Sequence, residues 1–222
     1  NLIYQWVNEP SGDNFMNIAI FYDAICVSGN RDLVLNLKEY LFNVAGNSQI
    51  FNAHFAKVIS NFDVPLGFFD GFILNNKDDK HKNEIDIKKG GIFIIVQGIR
   101  SLSLEHKLLN TSTAKRIQRL IEIGVLEPEL GKELTMAFNF LTNLKLKSNL
   151  EKLDKNLTID NYINPNNLNT MEKDLIETKN NSTDRMMIEE LHQIVNLSKL
   201  TDKTLVYDEK KRKITVQGKN DH

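Results

Sequence analysis

The stretch from about residue 89 to about residue 200 constrains the fold most, because it repeats apolar residues at helical spacing and contains few glycines or prolines. Ile92, Ile95 and Ile99 recur on one helical face, although the run from Ile92 to Val96 is by itself also typical of a strand. A second set of apolar residues steps along another helix face: Leu130, Leu134, Phe138, Leu141 and Leu144. The pattern therefore predicts a mostly α protein built around a helical bundle.

Local signals place the ends of these helices. Gly124 favours a helix end, and Pro128 favours the first turn of the next helix, which can run to about Asp154. The elements predicted after it are a turn-rich link over residues 161–167, a helix from about Thr170 to Leu200 and a terminal hairpin over Thr204–Val216.

The first half of the chain has a different composition, since nine of the 12 Phe residues of the whole chain lie within residues 1–88. The apolar run from Asn17 to Val27 predicts a buried strand. Asp32 can cap a helix to about Ala45, whose apolar face carries Leu33, Leu37, Tyr40 and Leu41. The further elements predicted here are a helix from Ser48 and short strands over Phe72–Leu74 and Glu84–Ile87. We therefore divide the chain into residues 1–88, 89–200 and a tail of 201–222.

Charge and apolar content exclude several classes of function. The chain has 28 Lys and Arg against 29 Asp and Glu, so it lacks the basic excess of a general nucleic-acid binder. Its longest apolar runs, Ile18–Val27 and Gly91–Ile99, are about half the length that crosses a bilayer. Cys26 is the only cysteine, so no intrachain disulfide can form and we expect a cytoplasmic setting.

Common catalytic and metal motifs are absent from the sequence. It contains no P-loop, no GxSxG turn and no HExxH pair. The five His residues are scattered, and no two of them have ligand spacing. No catalytic or metal-binding residue is therefore assigned.

The run Ile85–Gly91 (IDIKKGG) is the most informative short segment. Gly90 and Gly91 lie at a predicted strand-to-helix junction, where their N–H groups and the helix dipole favour an anion. Lys88 and Lys89 add positive charge, and Asp86 can orient a lysine or a ribose hydroxyl. The alternative is that the glycines only turn the chain or allow close helix packing while the lysines are solvated. Two arginines are further candidates for substrate or phosphate binding: Arg100 and Arg116.

The segment Ile85–Leu150 resembles the helical C-terminal region of a family of bacterial nucleotidyltransferases that are often fused to CBS and cyclic-nucleotide-binding domains and classed as signal-transduction proteins. It is more distantly similar to the helical regions of PII uridylyltransferases and glutamine synthetase adenylyltransferases. The resemblance covers about residues 4–200, and its most specific parts are IDIKKGG and the run Pro65–Phe69 (PLGFF). The chain departs from the family at Ile25, where an arginine is usual, and in the apolar residues that follow Gly91.

The resemblance implies that residues 1–88 are the C-terminal part of a nucleotidyltransferase-like core and that residues 89–200 are a helical substrate-binding domain. It implies Mg²⁺ and a nucleoside triphosphate for the parent enzyme, with no cofactor held by this segment. The implied partners are a nucleotide or a protein acceptor such as a PII-like protein, together with regulatory CBS or cyclic-nucleotide-binding domains.

Nucleotidyl transfer uses two carboxylates one residue apart on a strand, after a Gly-Ser turn, to hold two metal ions. The chain contains no Gly-Ser dipeptide and no Asp-x-Asp, and Glu84-x-Asp86 has the spacing without the turn. We therefore expect the catalytic half to lie upstream of Asn1 and this chain alone to be inactive. The alternative function is a non-catalytic protein-interaction or signal-relay module.

Overall fold

The computed structural model describes residues 2–9, 11–46, 48, 51–52, 54–55 and 81–170, together with the strands 203–208 and 213–218. The chain divides into two compact units. The first contains residues 1–59, 97–127 and 192–222, and the second contains residues 60–96 and 128–191.

Helices dominate the described part of the chain, which confirms the mostly α prediction. The α-helices are α1 (Leu2–Asn8), α2 (Gly12–Asp23), α3 (Arg31–Gly46), α4 (Phe93–Glu105), α5 (Thr113–Glu122) and α6 (Pro128–Asp154). The strands are β1 (Ile85–Asp86), β2 (Tyr162–Ile163), β3 (Lys203–Asp208) and β4 (Lys213–Gly218). A π-helical turn, Lys88–Ile92, runs directly into α4, and a 3₁₀ turn covers Pro165–Asn167.

The strand predicted over Asn17–Val27 is wrong, because most of this run belongs to α2. The Ser11 side chain accepts a hydrogen bond from the N–H of Asn14 and so caps the helix start. Ile18, Ala19 and Tyr22 are the buried residues of α2, and they are spaced as one helical stripe. Because the run contains few polar residues, its sequence does not show the period of about 3.6 residues that is typical of a helix.

The core of the first unit is rich in aromatic side chains. Its buried members are Ile3, Val7, Ile18, Ala19, Tyr22, Leu41, Phe42, Ala45, Phe51, Phe55 and Leu104. Phe51 and Phe55 stack with ring centroids 5.4 Å apart, and Tyr22 meets Phe42 edge-on at 5.9 Å. Burying such a ring stabilises the fold by about 1.5–3 kcal/mol. The helix predicted from Ser48 is supported where it is described, because Ser48 Oγ accepts a hydrogen bond from the N–H of Phe51.

The end of α5, also in the first unit, follows the predicted glycine stop. Gly124 has a φ of +72°, a conformation that glycine adopts without the cost a Cβ would impose. The N–H of Val125 and that of Leu126 bond back to the carbonyl of Leu120, and Leu126 is buried beyond the helix end.

The second unit contains the long helix α6, whose start at Pro128 and end at Asp154 are as predicted. Leu134 and Leu144 on its predicted apolar face are buried. The predicted strand near Glu84–Ile87 is β1, which pairs antiparallel with β2, and Ile85 lies opposite Ile163. The link over residues 161–167 therefore contains a short strand as well as turns. The unit's buried cluster is Ile85, Ile87, Leu144, Ile163 and Leu168.

The predicted terminal hairpin is confirmed, since β3 and β4 pair antiparallel with Leu205 opposite Val216. Three other predictions lie outside the described residues: the strand over Phe72–Leu74, the conformation of the PLGFF run and all but the first residue of the helix from Thr170 to Leu200. In the part of the chain that the structure describes, no helix is both long enough and apolar enough to cross a membrane.

Candidate functional site

The carboxylate of Asp23, the last residue of α2, lies between two arginines of the first unit. Arg100 on α4 donates hydrogen bonds from Nε and Nη2 to Asp23 Oδ2, at 3.2 and 2.6 Å. Arg116 on α5 places Nη2 2.7 Å from Asp23 Oδ1. This second contact lacks hydrogen-bond orientation, so it is an ion pair by proximity. One carboxylate thus balances only one of the two guanidinium charges.

Arg116 is almost completely removed from solvent, with 1% of its surface exposed. Its Nε donates to the backbone carbonyl of Asn110 at 2.6 Å, and its guanidinium carbon lies 4.3 Å from the ring centroid of Tyr22. A buried guanidinium is tolerated when it is paired and hydrogen-bonded, and the aromatic face adds a cation–π attraction. The geometry therefore holds Arg116 rigidly beneath the surface.

Tyr22 is fixed at its other end by a hydrogen bond from its hydroxyl to the carbonyl of Leu108, at 2.6 Å. Burial raises the pKa of Tyr22 to about 12, with a smaller raising effect from Asp23 that the two arginines oppose. The phenol therefore stays protonated near neutral pH and acts as a hydrogen-bond donor.

Lys38 on α3 adds a third cationic side chain to this group. Only 4% of its surface is exposed, and its Nζ lies 6.0 Å from the Tyr22 ring centroid. Burial lowers the pKa of Lys38, the charge of Arg116 lowers it further, and Asp23 partly opposes both. Among the described residues, its ammonium has no carboxylate partner and no hydrogen-bond acceptor. With Lys38 protonated, three cations therefore surround the single carboxylate of Asp23.

A pocket of about 360 Å³ opens beside this charged group in the first unit. One wall is a face of α3, and the other comes from the segment after α2 and from the approach to α5. The α3 residues are Arg31, Val34, Leu35 and Lys38, and the facing residues are Ala24, Ile25, Cys26, Leu109, Asn110, Thr111 and Lys115. Among the described residues that line it, the charged ones are thus all cationic, and Ile25 stands where the family resemblance expects an arginine.

The predicted site residues fall into two separate groups. Arg100 and Arg116 belong to the Asp23 group of the first unit, whereas Asp86, Lys88, Lys89, Gly90 and Gly91 belong to the second unit.

Asp86 caps the π-helical turn that follows it. Its Oδ1 accepts a hydrogen bond from the N–H of Lys89 at 2.9 Å, and its Oδ2 lies 3.8 Å from the Lys89 ammonium. The Lys89 side chain is 68% exposed, and Lys88 is exposed as well. Both ammonium groups are therefore accessible to solvent, and their role in binding a ligand stays a prediction.

Gly90 and Gly91 are buried, and the structure gives Gly91 a packing role. A Cβ at Gly91 would lie 2.7 Å from Cδ1 of Leu141 on α6, closer than real Cβ atoms come to a neighbour. The side chain of Leu141 thus packs directly over the glycine. This contact supports the alternative that the glycine allows close helix packing, and that the π-helical turn brings it against α6.

A second polar group fastens β2 within the second unit. The His81 ring stacks on Tyr162 with centroids 3.8 Å apart, and His81 Nδ1 lies 2.7 Å from Glu84 Oε2. Lys152 donates from Nζ to Asp160 Oδ1 at 2.5 Å and to the Tyr162 carbonyl at 2.6 Å. All of these polar groups have partners within the unit, so the arrangement is a structural clasp. No group of three or more potential metal ligands occurs among the described residues.

Asp23 and Lys38 were missed by sequence reasoning. Lys38 carries a usable signal, because it follows Val34 and precedes Leu41 and Phe42 on the face of α3 that is buried. Asp23 carries little signal, because its partner Arg100 is 77 positions away along the chain.

Comparison with known families gives one match: a family described as "Putative nucleotidyltransferase substrate binding domain" matches residues 49–186. The matched range contains Arg100, Arg116 and the IDIKKGG run, whereas Asp23 and Lys38 precede it. No match was found among curated proteins or among solved structures.

Proposed function

The chain belongs to the nucleotidyltransferase substrate-binding domain family, and from this premise we propose that it holds a substrate of nucleotidyl transfer, with the transfer chemistry performed by a separate catalytic core. The family match covers more than half of the chain and supplies the class of reaction. The residues of the first unit supply a candidate place for the substrate.

The observation that carries the proposal is the excess of buried positive charge around Asp23. Arg100 and Arg116 share its single carboxylate, and Lys38 lies beside them with 4% of its surface exposed. Buried cations without counter-ions are costly, and a bound anion offsets that cost. The substrates of nucleotidyl transfer carry phosphate groups, which are the matching anions.

The catalytic core in this proposal supplies the Gly-Ser turn and the Asp-x-Asp pair that this sequence lacks. It would bind Mg²⁺ and the nucleoside triphosphate, and the metal ions would neutralise charge on the transferred group. The family resemblance adds a protein acceptor such as a PII-like protein, a setting in the cytoplasm and control by CBS or cyclic-nucleotide-binding domains, as in a PII-uridylyltransferase-like signalling protein.

A second candidate function, a non-catalytic interaction module, is favoured by one observation on α6. Leu146, Leu150 and Leu153 recur at helical spacing, and each is more than half exposed. Such an apolar stripe is typical of a surface that contacts another protein.

Titration of ATP, GTP, CTP and UTP into the chain tests the proposal by isothermal titration calorimetry at low salt, with and without Mg²⁺. We expect saturable binding of at least one nucleotide, weakened by added salt because the contact is between charges. If none of the four nucleotides gives saturable heat, this result would contradict substrate binding and favour the interaction module.

A further inference from the structure

The pocket of the first unit has a wall that is built from one face of α3. Arg31, Val34, Leu35 and Lys38 line it, and their spacing of three, four and seven residues places them on a single helical stripe. The two cationic residues stand at the ends of the stripe, and the two apolar residues lie between them. The wall therefore offers positive charge and an apolar surface together.

Lys38 distinguishes this pocket from an ordinary basic surface. Lys38 lines the cavity while 4% of the residue is exposed, and within the described ranges no carboxylate pairs with its ammonium. The Asp23 carboxylate compensates the Lys38 charge only in part, because Arg100 and Arg116 already contact both of its oxygens. Desolvating a lysine without a counter-ion is unfavourable, so an anion in the pocket would stabilise this arrangement.

The start of α5 faces the same pocket, since Thr111 and Lys115 also line it. Ser112 is the N-cap residue, yet its side chain makes no capping hydrogen bond, and the first turn of α5 carries no acidic residue. The N-terminus of a helix carries partial positive charge and unpaired N–H groups that favour an anion. The N-terminus of α5 therefore favours an anion in the same pocket that Lys38 lines.

The rest of the lining limits the kind of ligand. Leu109 and Ile25 add apolar surface opposite α3, and these residues are 50% and 66% exposed. Asn110 and Thr111 add polar groups. A ligand with one compact anionic end and an apolar or planar body fits this combination better than a bare ion does.

We propose that this pocket, lined by Arg31, Lys38 and Lys115, binds the phosphate group of the transferase substrate while the apolar wall holds the rest of the molecule. The inference rests on the proposed function and names the site and ligand class for it. Lys38 contacts the phosphate, whereas Arg100 and Arg116 act as positioning residues that hold Asp23 and Tyr22.

The test compares two variants with the wild type. Lys38→Met removes one charge while keeping most of the side-chain volume, and Lys88→Ala with Lys89→Ala removes both lysine charges at the other predicted site. Each protein is titrated at low salt with inorganic phosphate, with UTP and ATP, and with the uncharged nucleosides uridine and adenosine. Thermal unfolding first establishes that each variant is folded.

We expect Lys38→Met to weaken the binding of phosphate and of the nucleotide at least tenfold and to leave nucleoside binding unchanged. If this pocket and not the IDIKKGG run holds the phosphate, the double variant of Lys88 and Lys89 should bind as the wild type does. If Lys38→Met fails to fold, the exposed Lys115→Met variant replaces it and should also weaken phosphate and nucleotide binding.

The outcomes separate the site from the function. Nucleotide binding that survives Lys38→Met and is lost in the double variant overturns this pocket and leaves the proposed function standing. Phosphate binding that depends on Lys38 without nucleotide binding supports the anion site and overturns the proposed function. A wild type that binds neither phosphate nor nucleotide overturns both.

Discussion

At the scale of single residues, the charge of Asp23 should determine whether the first unit is stable. Asp23→Asn leaves Arg116, which is 1% exposed, without its counter-ion. Loss of one partner from a buried ion pair costs about 3–5 kcal/mol, so we expect a decrease of that size in the free energy of unfolding. Urea denaturation measures it.

The matched control for this substitution is Glu122→Gln, because Glu122 pairs with Arg119 where both side chains are about half exposed. Exposed pairs contribute little, so the control should change the free energy of unfolding by less than about 1 kcal/mol. Equal changes in the free energy of unfolding for the two substitutions would show that the buried Asp23 pair stabilises the fold no more than an exposed pair does.

Gly91→Ala tests the packing role of the second glycine in IDIKKGG. The new Cβ would lie 2.7 Å from Leu141 Cδ1, so the leucine must move to accommodate it. Overpacking costs about 1–3 kcal/mol, and we expect a loss at the lower end of this range because the end of the flexible Leu141 side chain can shift and alanine is the better helix former. Thermal unfolding should show the loss, and the loss should shrink in a Leu141→Ala background, where the clash is absent.

Gly12→Ala is the control for Gly91→Ala, because no atom lies within 4 Å of a Cβ at Gly12 and that residue begins a helix. We expect no loss of stability there, since alanine is the better helix former. A Gly91→Ala protein as stable as the Gly12→Ala protein would show that the close approach to Leu141 is not needed.

The sequence predicted some site residues and not others, for a reason that is visible at this scale. Arg100 and Arg116 are predicted as further candidates, and both lie in the charged group of the first unit. Their partner Asp23 does not, because an ion pair across 77 positions leaves no local pattern. Lys38 does carry a local signal, because it lies at helical spacing between Val34 and Leu41 on the buried face of α3.

At the scale of elements, helix ends were predicted better than helix faces. The start of α6 at Pro128 follows from the sequence, because proline at the first position of a helix is a local signal. The predicted face of α3 is right only in part: Leu41 is buried, but Leu33 and Leu37 are 63% and 47% exposed, and Lys38 is buried. Which face is buried depends on neighbouring elements, and the sequence pattern does not identify these.

The connection from α6 to β2 should be sensitive to acid through Asp160. Burial alone would raise the pKa of Asp160, but hydrogen bonds from Lys152 and from the Tyr162 N–H, with the charges of Lys152 and His81, hold it below its usual value. The carboxylate therefore stabilises the fold above its unfolded-state pKa, about 3.9. That stabilisation is lost as the pH falls through the lower pKa of the folded state.

We therefore expect Asp160→Asn to lower the free energy of unfolding at pH 7 and to have a smaller effect in acid. Urea denaturation between pH 7 and pH 2.5 measures this difference. The exposed Asp154 on α6 is the control, and Asp154→Asn should stay close to the wild type at pH 7. A difference for Asp160→Asn that stays constant down to pH 2.5 would show that its charge does not stabilise the clasp.

At the scale of the whole molecule, each compact unit is formed by stretches of chain that are not consecutive in the sequence. The first unit combines residues 1–59 with residues 97–127, and the second combines residues 60–96 with residues 128–191. The sequence predicts divisions at residues 88 and 200 from changes in composition, which follow chain order alone. Those domain boundaries stay a prediction. The two units take alternating stretches of the chain because of contacts between residues far apart in the sequence, and a local sequence pattern does not indicate such contacts.

The last prediction concerns activity. We expect the chain alone to release no pyrophosphate from ATP, GTP, CTP or UTP with Mg²⁺ or Mn²⁺, with or without a PII-like protein as acceptor. The reason is chemical: the sequence has no Asp-x-Asp pair after a Gly-Ser turn to hold two metal ions against the phosphates. Nucleotide binding should nevertheless be measurable, because it depends on the cationic pocket instead. Metal-dependent turnover that copurifies with the chain, and that is lost when Glu84→Gln and Asp86→Asn are introduced, would instead place catalytic carboxylates at Glu84 and Asp86, an acidic pair with the right spacing.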